Sequence, residues 1–318
     1  MSDIKIIALG GVRENAKNMY VVEVDDNIYI LDCGLKYPEN ELLGIDTVIP
    51  DFEYLRQNAR RIVGVFLTHG HADAIGALPY FVSEFDVPVF GSELTIELAK
   101  IACANEDAAK DFDDFHIVDE KTEIDFESAT VSFFKTTHSV PESFGIVVKT
   151  RKGNIVYTGD FKFDLSPVAN PADYQIMSFL GETGVDLLMS DSTNAEVPTF
   201  SISEKTVAGQ VQEEFRKTEG RIIVATFASN IHRVQQIVEA AVKFNRKILV
   251  YGRSMVNNID VARKMGYIKC PDRFFIKNDE TKHLPDNEIL ILCTGSQGEA
   301  LAALNRIANG THRQIKIK

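Results

Sequence analysis

Short apolar segments rich in β-branched residues alternate with turn residues through the first half of the chain, a pattern typical of strands. These segments lie at 4–9, 19–24, 27–32, 62–67, 130–134, 145–149 and 155–157. Residues 75–85 and 95–105 instead space their apolar positions by three and four, which predicts helices. Strands combined with outer helices predict a layered α/β sandwich.

From about residue 199 the pattern becomes a regular succession of helices and strands. Helices are predicted at 203–216, 231–244, 257–265 and 299–307, and strands at 221–225, 247–251 and 288–293. This alternation predicts a mostly parallel sheet, so we expect two domains, 1–198 and 199–318. Residues 314–318 alternate like a strand with no ending signal, which leads us to expect a fragment of a longer protein.

Composition narrows the class of protein. With 318 residues, 45% of them hydrophobic and 25% charged, the chain has the composition of a folded soluble protein. No apolar run reaches the roughly 18 residues that span a bilayer, and the N-terminus lacks a signal peptide. We therefore expect a cytoplasmic protein without a membrane partner. A net charge of −12 argues against nucleic-acid binding through general basicity, but it is compatible with a local basic groove.

The four cysteines are scattered and show no C-x-x-C spacing, which favours buried, reduced thiols over disulfides or a structural zinc site. They are Cys33, Cys103, Cys270 and Cys293.

The candidate chemistry begins in the stretch Thr-His-Gly-His-Ala-Asp-Ala-Ile-Gly at 68–76, which follows the strand predicted at 62–67. Two histidines one residue apart at a strand end, His69 and His71, can direct both imidazoles at one cation. Asp73 can present a carboxylate to a neighbouring cation. A bare pair of histidines is more often a pair of surface or core residues, so the metal interpretation depends on further ligands.

Three further polar residues each follow an apolar strand. His138 comes after 130–134, Asp160 after 155–157 and Asp191 after 187–189. If these strands are neighbours, their ends converge on one edge of a sheet, where α/β layers place their sites. Together with the first stretch they predict a metal site, with Asp73, Asp160 and Asp191 as candidates for catalytic acid or base.

These motifs resemble those of the ribonuclease J family, which are metallo-β-lactamase ribonucleases with an inserted β-CASP domain. Further segments of the chain carry the resemblance at 42–46, 137–143, 158–164, 190–194, 227–233, 252–255 and 294–299. The resemblance implies a metallo-β-lactamase αββα sandwich with an inserted, mostly parallel β-CASP α/β domain, truncated in this chain. It also implies processing or degradation of RNA, as 5′-end-dependent exonuclease and as endonuclease, with two zinc ions.

By this resemblance, His69, His71 and His138 would hold the first zinc, and Asp160 would bridge toward the second. Asp73 would belong to the second site, and Asp191 matches the acidic residue that opens the β-CASP motifs.

The chain departs from the family pattern where a histidine is replaced by Ala74, because a methyl group cannot bind a metal. We therefore expect at most one firmly bound zinc ion and weak activity, as in the catalytically degenerate paralogue that supports an active ribonuclease J. A second departure places Arg13 and Ala16 where the family usually has glycines, which predicts a less permissive backbone.

RNA contacts are expected from turn and cap residues that follow the strands of the second domain. They are Ser229, Asn230, His232, Arg253, Ser254, Ser296 and Gln297. Backbone N–H groups and polar side chains at such turns can hold phosphates without reading base sequence. For each single position the alternative is an ordinary turn or cap residue.

Three functions remain open at this point. The first is an RNA-binding subunit in mRNA decay and rRNA maturation, weak alone, that partners an active ribonuclease J paralogue or a second copy of itself. The second is an active ribonuclease with one or two zinc ions. The third is a metallohydrolase of the same fold that acts on a small molecule. Single-stranded RNA is the expected partner for the first two, and DNA is not expected.

Overall fold

The computed structural model describes residues 4–38, 44–296 and 302–315. These residues form two compact units. The first contains the chain up to His138 together with Glu142–Phe163 and Pro171–Phe200, and the second contains Ser139–Pro141, Asp164–Asn170 and the chain from Ser201 onward. In the described ranges, no helix has both the length and the apolar character that a membrane crossing requires.

The first unit contains two sheets. The first sheet has six strands in spatial order β1 to β6: Ile4–Gly10, Met19–Val24, Asn27–Leu31, Ile62–Phe66, Val89–Gly91 and Phe115–Ile117. Its first three strands are antiparallel, and β3 to β6 are parallel. The second sheet has the order β11-β10-β9-β8-β7, with strands Glu123–Asp125 (β7), Ala129–Lys135 (β8), Phe144–Thr150 (β9), Gly153–Tyr157 (β10) and Leu187–Met189 (β11).

The core of the first unit lies between its two sheets. Val22, Tyr29 and Phe66 of the first sheet and Val131 and Ile146 of the second belong to one cluster of buried side chains. Alternate residues of a strand point to opposite faces, so each sheet contributes one apolar face to this cluster.

The described helices of the first unit are α1 to α5: Glu53–Gln57, Ala72–Ile75, Leu78–Val82, Glu93–Ala104 and Tyr174–Thr183. Helix α4 contacts β5 and β6 of the first sheet. Helix α5 packs on the outer face of the second sheet through Ile176, Met177 and Leu180. The arrangement confirms the predicted layered sandwich.

The helix predicted over 75–85 does not form as one element, since that range holds only the last residue of α2 and the short helix α3, so the prediction was wrong in its continuity. Helix α2 ends at Ile75 with Gly76 as its C-cap, and α3 begins at Leu78 with Pro79 in its first turn. Proline lacks the N–H that a helix interior needs, and it is favoured in a first turn, so it starts a new helix here.

The second unit has a sheet of three parallel strands in the order β12-β14-β13: Ile222–Ala225 (β12), Lys247–Tyr251 (β13) and Ile289–Cys293 (β14). Its described helices are α6 to α9: Glu204–Lys217, Ile231–Lys243, Arg253–Lys264 and Ala303–Ala308. The parallel sheet confirms the predicted arrangement of strands. The predicted terminal strand does not form at 314–315, and its remaining residues lie outside the described ranges. The domain boundary near 198 stays a prediction.

The loop between β1 and β2 carries three residues other than glycine in the left-handed conformation. Their φ angles are 58° at Arg13, 73° at Ala16 and 60° at Lys17. This conformation costs an L-residue about 1–2 kcal/mol. Backbone hydrogen bonds hold the loop, because the Lys17 N–H donates to the carbonyl of Leu35 at 3.0 Å and the Asn18 N–H to that of Asp73 at 3.0 Å.

Replacing Ala16 with glycine should relieve this strain. We expect Ala16→Gly to raise the free energy of unfolding by about 0.5–1 kcal/mol, because the relief exceeds the entropy that glycine adds to the unfolded chain. The same substitution in a helix, Ala102→Gly in α4, should lower it by about 1 kcal/mol. Urea titration of both variants measures the difference. Equal destabilisation by the two would show that position 16 carries no strain.

A buried carboxylate on β2 is held by three donors. Glu23 is 4% exposed. It accepts hydrogen bonds from Arg61 at 2.6 Å, from Lys5 at 3.1 Å and from the Tyr54 hydroxyl. Burial alone would raise the pKa of Glu23, but these donors outweigh it and lower the pKa to about 2.

The lowered pKa makes stability depend on pH. The contribution of Glu23 is fully present above its unfolded pKa of about 4.5 and disappears as pH falls through its folded pKa of about 2. We expect Glu23→Gln to destabilise the protein at pH 7 and to flatten the stability curve between pH 4.5 and 2. The exposed Glu127→Gln is the matched control, and thermal unfolding against pH is the measurement. A curve of unchanged slope for Glu23→Gln would contradict this assignment.

Candidate metal centre

Three imidazoles converge at strand ends of the first unit. His69 and His71 lie in the segment between β4 and α2, and His138 follows β8. Their ring centroids are 4.8 to 4.9 Å apart, and one ligand nitrogen from each ring lies within 4.8 Å of the others. His138 Nε2 lies 3.1 Å from His71 Nδ1. Three imidazoles at this spacing can share one cation.

Two carboxylates join the same group. Asp73 Oδ1 lies 3.6 Å from His69 Nε2, and Asp160 Oδ2 lies 3.9 Å from both His69 Nε2 and His138 Nε2. His69, Asp73 and Asp160 form a second set of three ligand atoms within 4.8 Å of one another. His69 belongs to both sets.

Two ligand atoms in this group are buried without a hydrogen-bond partner: His69 Nε2 and Asp73 Oδ1. Buried polar atoms are normally satisfied, so each such atom needs an explanation. A metal ion between them would satisfy both. The donor set of imidazoles and carboxylates therefore fits a divalent cation of the zinc class.

The backbone fixes Asp73 by hydrogen bonds to three successive carbonyls of α2. The carbonyls of Ala72, Asp73 and Ala74 accept from Leu35 at 2.9 Å, Asn18 at 3.0 Å and Cys33 at 2.7 Å. Ala74 is fully buried. The contacts that hold the helix carrying Asp73 are main-chain hydrogen bonds, in which the side chain of Ala74 takes no part.

Gly34 permits this close approach. A Cβ at position 34 would lie 1.5 Å from the carbonyl oxygen of Asp73. Any other residue would displace the segment, because real atoms do not approach so closely.

The segments that carry His138 and Asp160 are tied to each other. The Lys162 N–H donates to the carbonyl of Thr137 at 2.9 Å, and the Thr137 hydroxyl donates to the carbonyl of Lys162. Gly159, with a φ of 57°, lies so close to Thr68 that a Cβ there would be 2.7 Å from Thr68 Cβ. Glycine therefore lets the Asp160 segment reach the end of β4.

A buried chain of hydrogen bonds orients His69. Asp32 accepts from the Thr68 N–H at 2.8 Å, from the Thr68 hydroxyl at about 3 Å and from the Tyr157 hydroxyl at 2.8 Å. Because the Thr68 hydroxyl donates its proton to Asp32, it accepts from His69 Nδ1 at 2.9 Å. Nδ1 then carries a proton, and Nε2 is the nitrogen that can bind a cation.

Burial and neighbouring charges set the proton affinities of the group. Burial opposes the charged form of His69, but Asp73, Asp160 and Asp32 outweigh it and raise its pKa to about 9. Burial opposes ionisation of Asp73, but His69 and His71 lower its pKa to about 2. Burial and the charges of Asp73 and Asp191 raise the pKa of Asp160 to about 7, against the opposing charge of His69. A bound cation would replace the excess proton that His69 holds.

Asp191 lies beside this group rather than in it. Its carboxylate accepts from the Thr193 N–H at 2.8 Å and the Thr193 hydroxyl at 2.7 Å, and its N–H donates to Thr158 at 3.1 Å. Its Oδ2 lies 3.5 Å from the Phe161 nitrogen. Asp191 therefore acts on Asp160 through its charge and through the backbone that follows Asp160.

Two family models match the chain. Residues 12–207 match "Metallo-beta-lactamase superfamily", and residues 219–318 match "Ribonuclease J, beta-CASP domain". The chain belongs to the ribonuclease J family of metallo-β-lactamase proteins. The match confirms the resemblance carried by the sequence motifs, and membership in this superfamily implies metal binding.

Curated relatives cover the whole chain. It is 48% identical over 317 residues to "Ribonuclease J 1" and 47% identical over 320 residues to "Ribonuclease J 2", both of Streptococcus pyogenes serotype M3, with 100% of the chain aligned. It is 45% identical over 319 residues to "Ribonuclease J2" of Bacillus subtilis, with 99% of the chain aligned. The chain spans 56–58% of the length of these relatives.

A solved structure shares the fold. "Crystal Structure of a Protein of Unknown Function from Enterococcus faecalis V583" matches with a TM-score of 0.67 and 15% identity, and covers 93% of this chain and 78% of that chain.

The residues expected to contact RNA in the β-CASP part lie where the parallel strands end. Ser229 and Asn230 follow β12, Arg253 and Ser254 follow β13, and Ser296 follows β14. Arg253, Ser254 and Ser296 are exposed. Arg253 and Ser254 are the first two residues of α8 rather than turn residues. Because β12, β14 and β13 are parallel neighbours, the structure brings these segments to one edge of the sheet.

Asn230, His232 and Gln297 complete the set of expected RNA contacts. Asn230 caps α7, since its side chain accepts from the Arg233 N–H at 3.0 Å. This is the cap role that the sequence left open for each position. His232 lies in the first turn of α7, and Gln297 lies outside the described residues.

The sequence interpretation missed the residues that orient His69. Asp32 follows a buried strand, as His138, Asp160 and Asp191 do, so the same signal could have found it. The signals for Thr68 and Tyr157 are weaker, because a threonine beside a histidine and a tyrosine in a buried strand are common.

Removing the charge of Asp32 should weaken metal binding. In Asp32→Asn, an amide nitrogen replaces one carboxylate acceptor, so Thr68 no longer fixes the proton on His69 Nδ1. We expect a loss of zinc affinity of about 10–100-fold, as for other residues that orient a metal-binding histidine. Chelator competition measures it. Tyr157→Phe, which removes a single donor to Asp32, is the control and should lose less. Equal affinity of Asp32→Asn and the parent would refute this role.

Proposed function

We propose that this chain is the RNA-acting, metal-binding part of a ribonuclease J subunit that holds one zinc ion firmly and hydrolyses RNA weakly on its own. The observation that carries the proposal is the group of three imidazoles next to Asp73 and a fully buried Ala74. The group has the donors for one ion, and the methyl of Ala74 adds none for a second.

In this proposal His69, His71 and His138 hold the ion, with Asp160 as the nearby carboxylate. A bound zinc ion supplies Lewis-acid charge and a nucleophile near neutral pH. The protein orients His69 through Thr68 and Asp32, and the Asp160 carboxyl, with its raised pKa, can hold a proton near neutral pH in the metal-free state. Asp73, with a lowered pKa, stays charged and balances the histidines.

The β-CASP match favours RNA over a small molecule as the substrate. Single-stranded RNA would bind the β-CASP part through the turns that follow β12, β13 and β14. The proposed partner is an active ribonuclease J paralogue, because a weakly active subunit would depend on another subunit for efficient cleavage. Streptococcus pyogenes serotype M3 has two relatives of this chain, named "Ribonuclease J 1" and "Ribonuclease J 2". The roles that follow from this proposal are mRNA decay and rRNA maturation.

A second candidate function is an active ribonuclease with two zinc ions. The second set of ligand atoms, on His69, Asp73 and Asp160, favours it. Ala74 counts against it, because Asp73 and a shared Asp160 are few donors for a second ion.

Zinc content and activity separate the two candidates. We expect the parent chain, after dialysis, to hold about one zinc per chain by elemental analysis, and His71→Ala to lose it. His116→Ala, a histidine on β6 that pairs with Asp114 at 2.8 Å, is the matched control and should keep its zinc. Two tightly held zinc ions in the parent would overturn the proposal, and this result does not depend on whether the variants fold.

Ala74→His tests the cause of the weakness. If it folds, it should bind more zinc than the parent and cleave 5′-monophosphorylated RNA about 10²–10³ times faster, the range that single charge-stabilising groups contribute. The proposal would also be refuted if the unmodified parent chain cleaved RNA as fast as a relative that has the complete set of metal ligands. Activity that survives in His71→Ala would reveal a contaminating nuclease and leave the zinc count to decide.

A further inference from the structure

Basic residues concentrate in one segment of an acidic chain. Residues 243–282 contain ten lysines and arginines and four acidic residues, whereas the whole chain has a net charge of −12. This segment therefore carries a local excess of positive charge in a chain whose net charge would repel a polyanion.

Three of these cations gather on two adjacent aromatic rings. Lys247 Nζ lies 5.1 Å and Arg273 Cζ 5.6 Å from the ring centroid of Phe274, and Arg263 Cζ lies 4.4 Å from that of Phe275. Lys247 Nζ also donates to the carbonyl of Arg273 at 2.9 Å. We call these three cations and two rings the Phe274 surface.

The charges of the Phe274 surface are poorly neutralised. Within the described ranges, Arg263 forms an ion pair with Asp272, whose side chain is 94% exposed, and neither Lys247 nor Arg273 forms an ion pair with a carboxylate. Stacking on a ring leaves the N–H groups at the edge of a guanidinium available to acceptors. Phe274 is buried, so it fixes the position of the cations above it.

This surface is distinct from the turns already described in the same unit. Lys247 is the first residue of β13, whereas Arg253 and Ser254 follow its last residue, Tyr251. Four steps along a strand span about 13 Å. The Phe274 surface therefore lies at the amino end of the parallel sheet, and the expected phosphate contacts lie at its carboxyl end.

We propose that the Phe274 surface is a second contact for the phosphate backbone of single-stranded RNA, a role that rests on the proposed function. A cluster of positive charges binds most strongly to a ligand with repeated negative charges, because binding releases the counterions that surround the ligand. Phosphate contacts of this kind hold the strand without reading its sequence. An acidic peptide is the competing occupant.

The test compares two triple variants of the full chain that change the net charge equally. The first removes the cations of the Phe274 surface: Lys247→Gln, Arg263→Gln and Arg273→Gln. The control removes three exposed lysines of the first unit: Lys100→Gln, Lys110→Gln and Lys152→Gln. Fluorescence anisotropy with labelled oligouridylate measures affinity over a range of salt concentrations, and elemental analysis checks that zinc content is unchanged.

We expect the Phe274-surface triple to bind oligouridylate about 10–100-fold more weakly than the parent near 0.1 M salt. Its plot of log affinity against log salt should be shallower by about 2, since each phosphate contact on a single strand contributes about 0.7. The control triple should match the parent. A double variant that keeps the charges, Arg263→Lys with Arg273→Lys, should keep the salt slope of the parent.

Several outcomes overturn the inference. Parental affinity and slope in the Phe274-surface triple would refute it, and so would equal weakening in both triples, because general charge would then explain the effect. Loss of poly-glutamate binding with unchanged RNA binding would assign the surface to an acidic peptide. Failure of the parent itself to bind oligouridylate would instead refute the proposed function.

Discussion

Imidazoles and carboxylates buried together must be held by the backbone around them, because each would otherwise turn toward water. Here the hold comes from hydrogen bonds between segments far apart in sequence. The carbonyls of Ala72, Asp73 and Ala74 accept from the 18 and 33–35 segments, and Thr137 and Lys162 bond to each other. The two sheets and their apolar core place the strand ends from which these segments extend.

This arrangement gives the candidate metal centre two separable properties. The scaffold that holds Asp73 uses main-chain atoms and the space at Gly34, and the side chain at position 74 takes part in none of these hydrogen bonds. The number of donors for a metal does depend on that side chain. The main-chain framework of the site can therefore be kept while the side chain at position 74 offers no ligand to a metal ion.

Backbone strain lies in a loop next to the candidate metal centre, whereas a cluster of positive charge lies in the second unit. Arg13, Ala16 and Lys17 adopt left-handed conformations in a loop whose neighbour, Asn18, bonds to Asp73. The backbone at positions 13 and 16 thus adopts conformations that suit glycine, and other contacts compensate for the cost. In the second unit, cations collect on Phe274 and Phe275 where the overall charge of the chain gives no hint of them.

The sequence by itself determined the strand and helix pattern, the parallel sheet of the second unit, the family, and the candidate ligands His69, His71, Asp73, His138 and Asp160. It could do so because these features depend on local periodicity and on short motifs. The helix break at Pro79 was also local, but the apolar spacing of 75–85 concealed it. The three-residue strands β5, β6 and β7 are too short to show a period.

Only the tertiary structure decided which side chains meet. Asp32 and Tyr157 lie 125 positions apart and share one hydrogen bond, and Asp32 also accepts from the Thr68 hydroxyl that orients His69. Gly34 matters because of a carbonyl 39 positions away. Contacts between distant segments depend on how strands pair and how sheets pack, and no local pattern of residues encodes those distances.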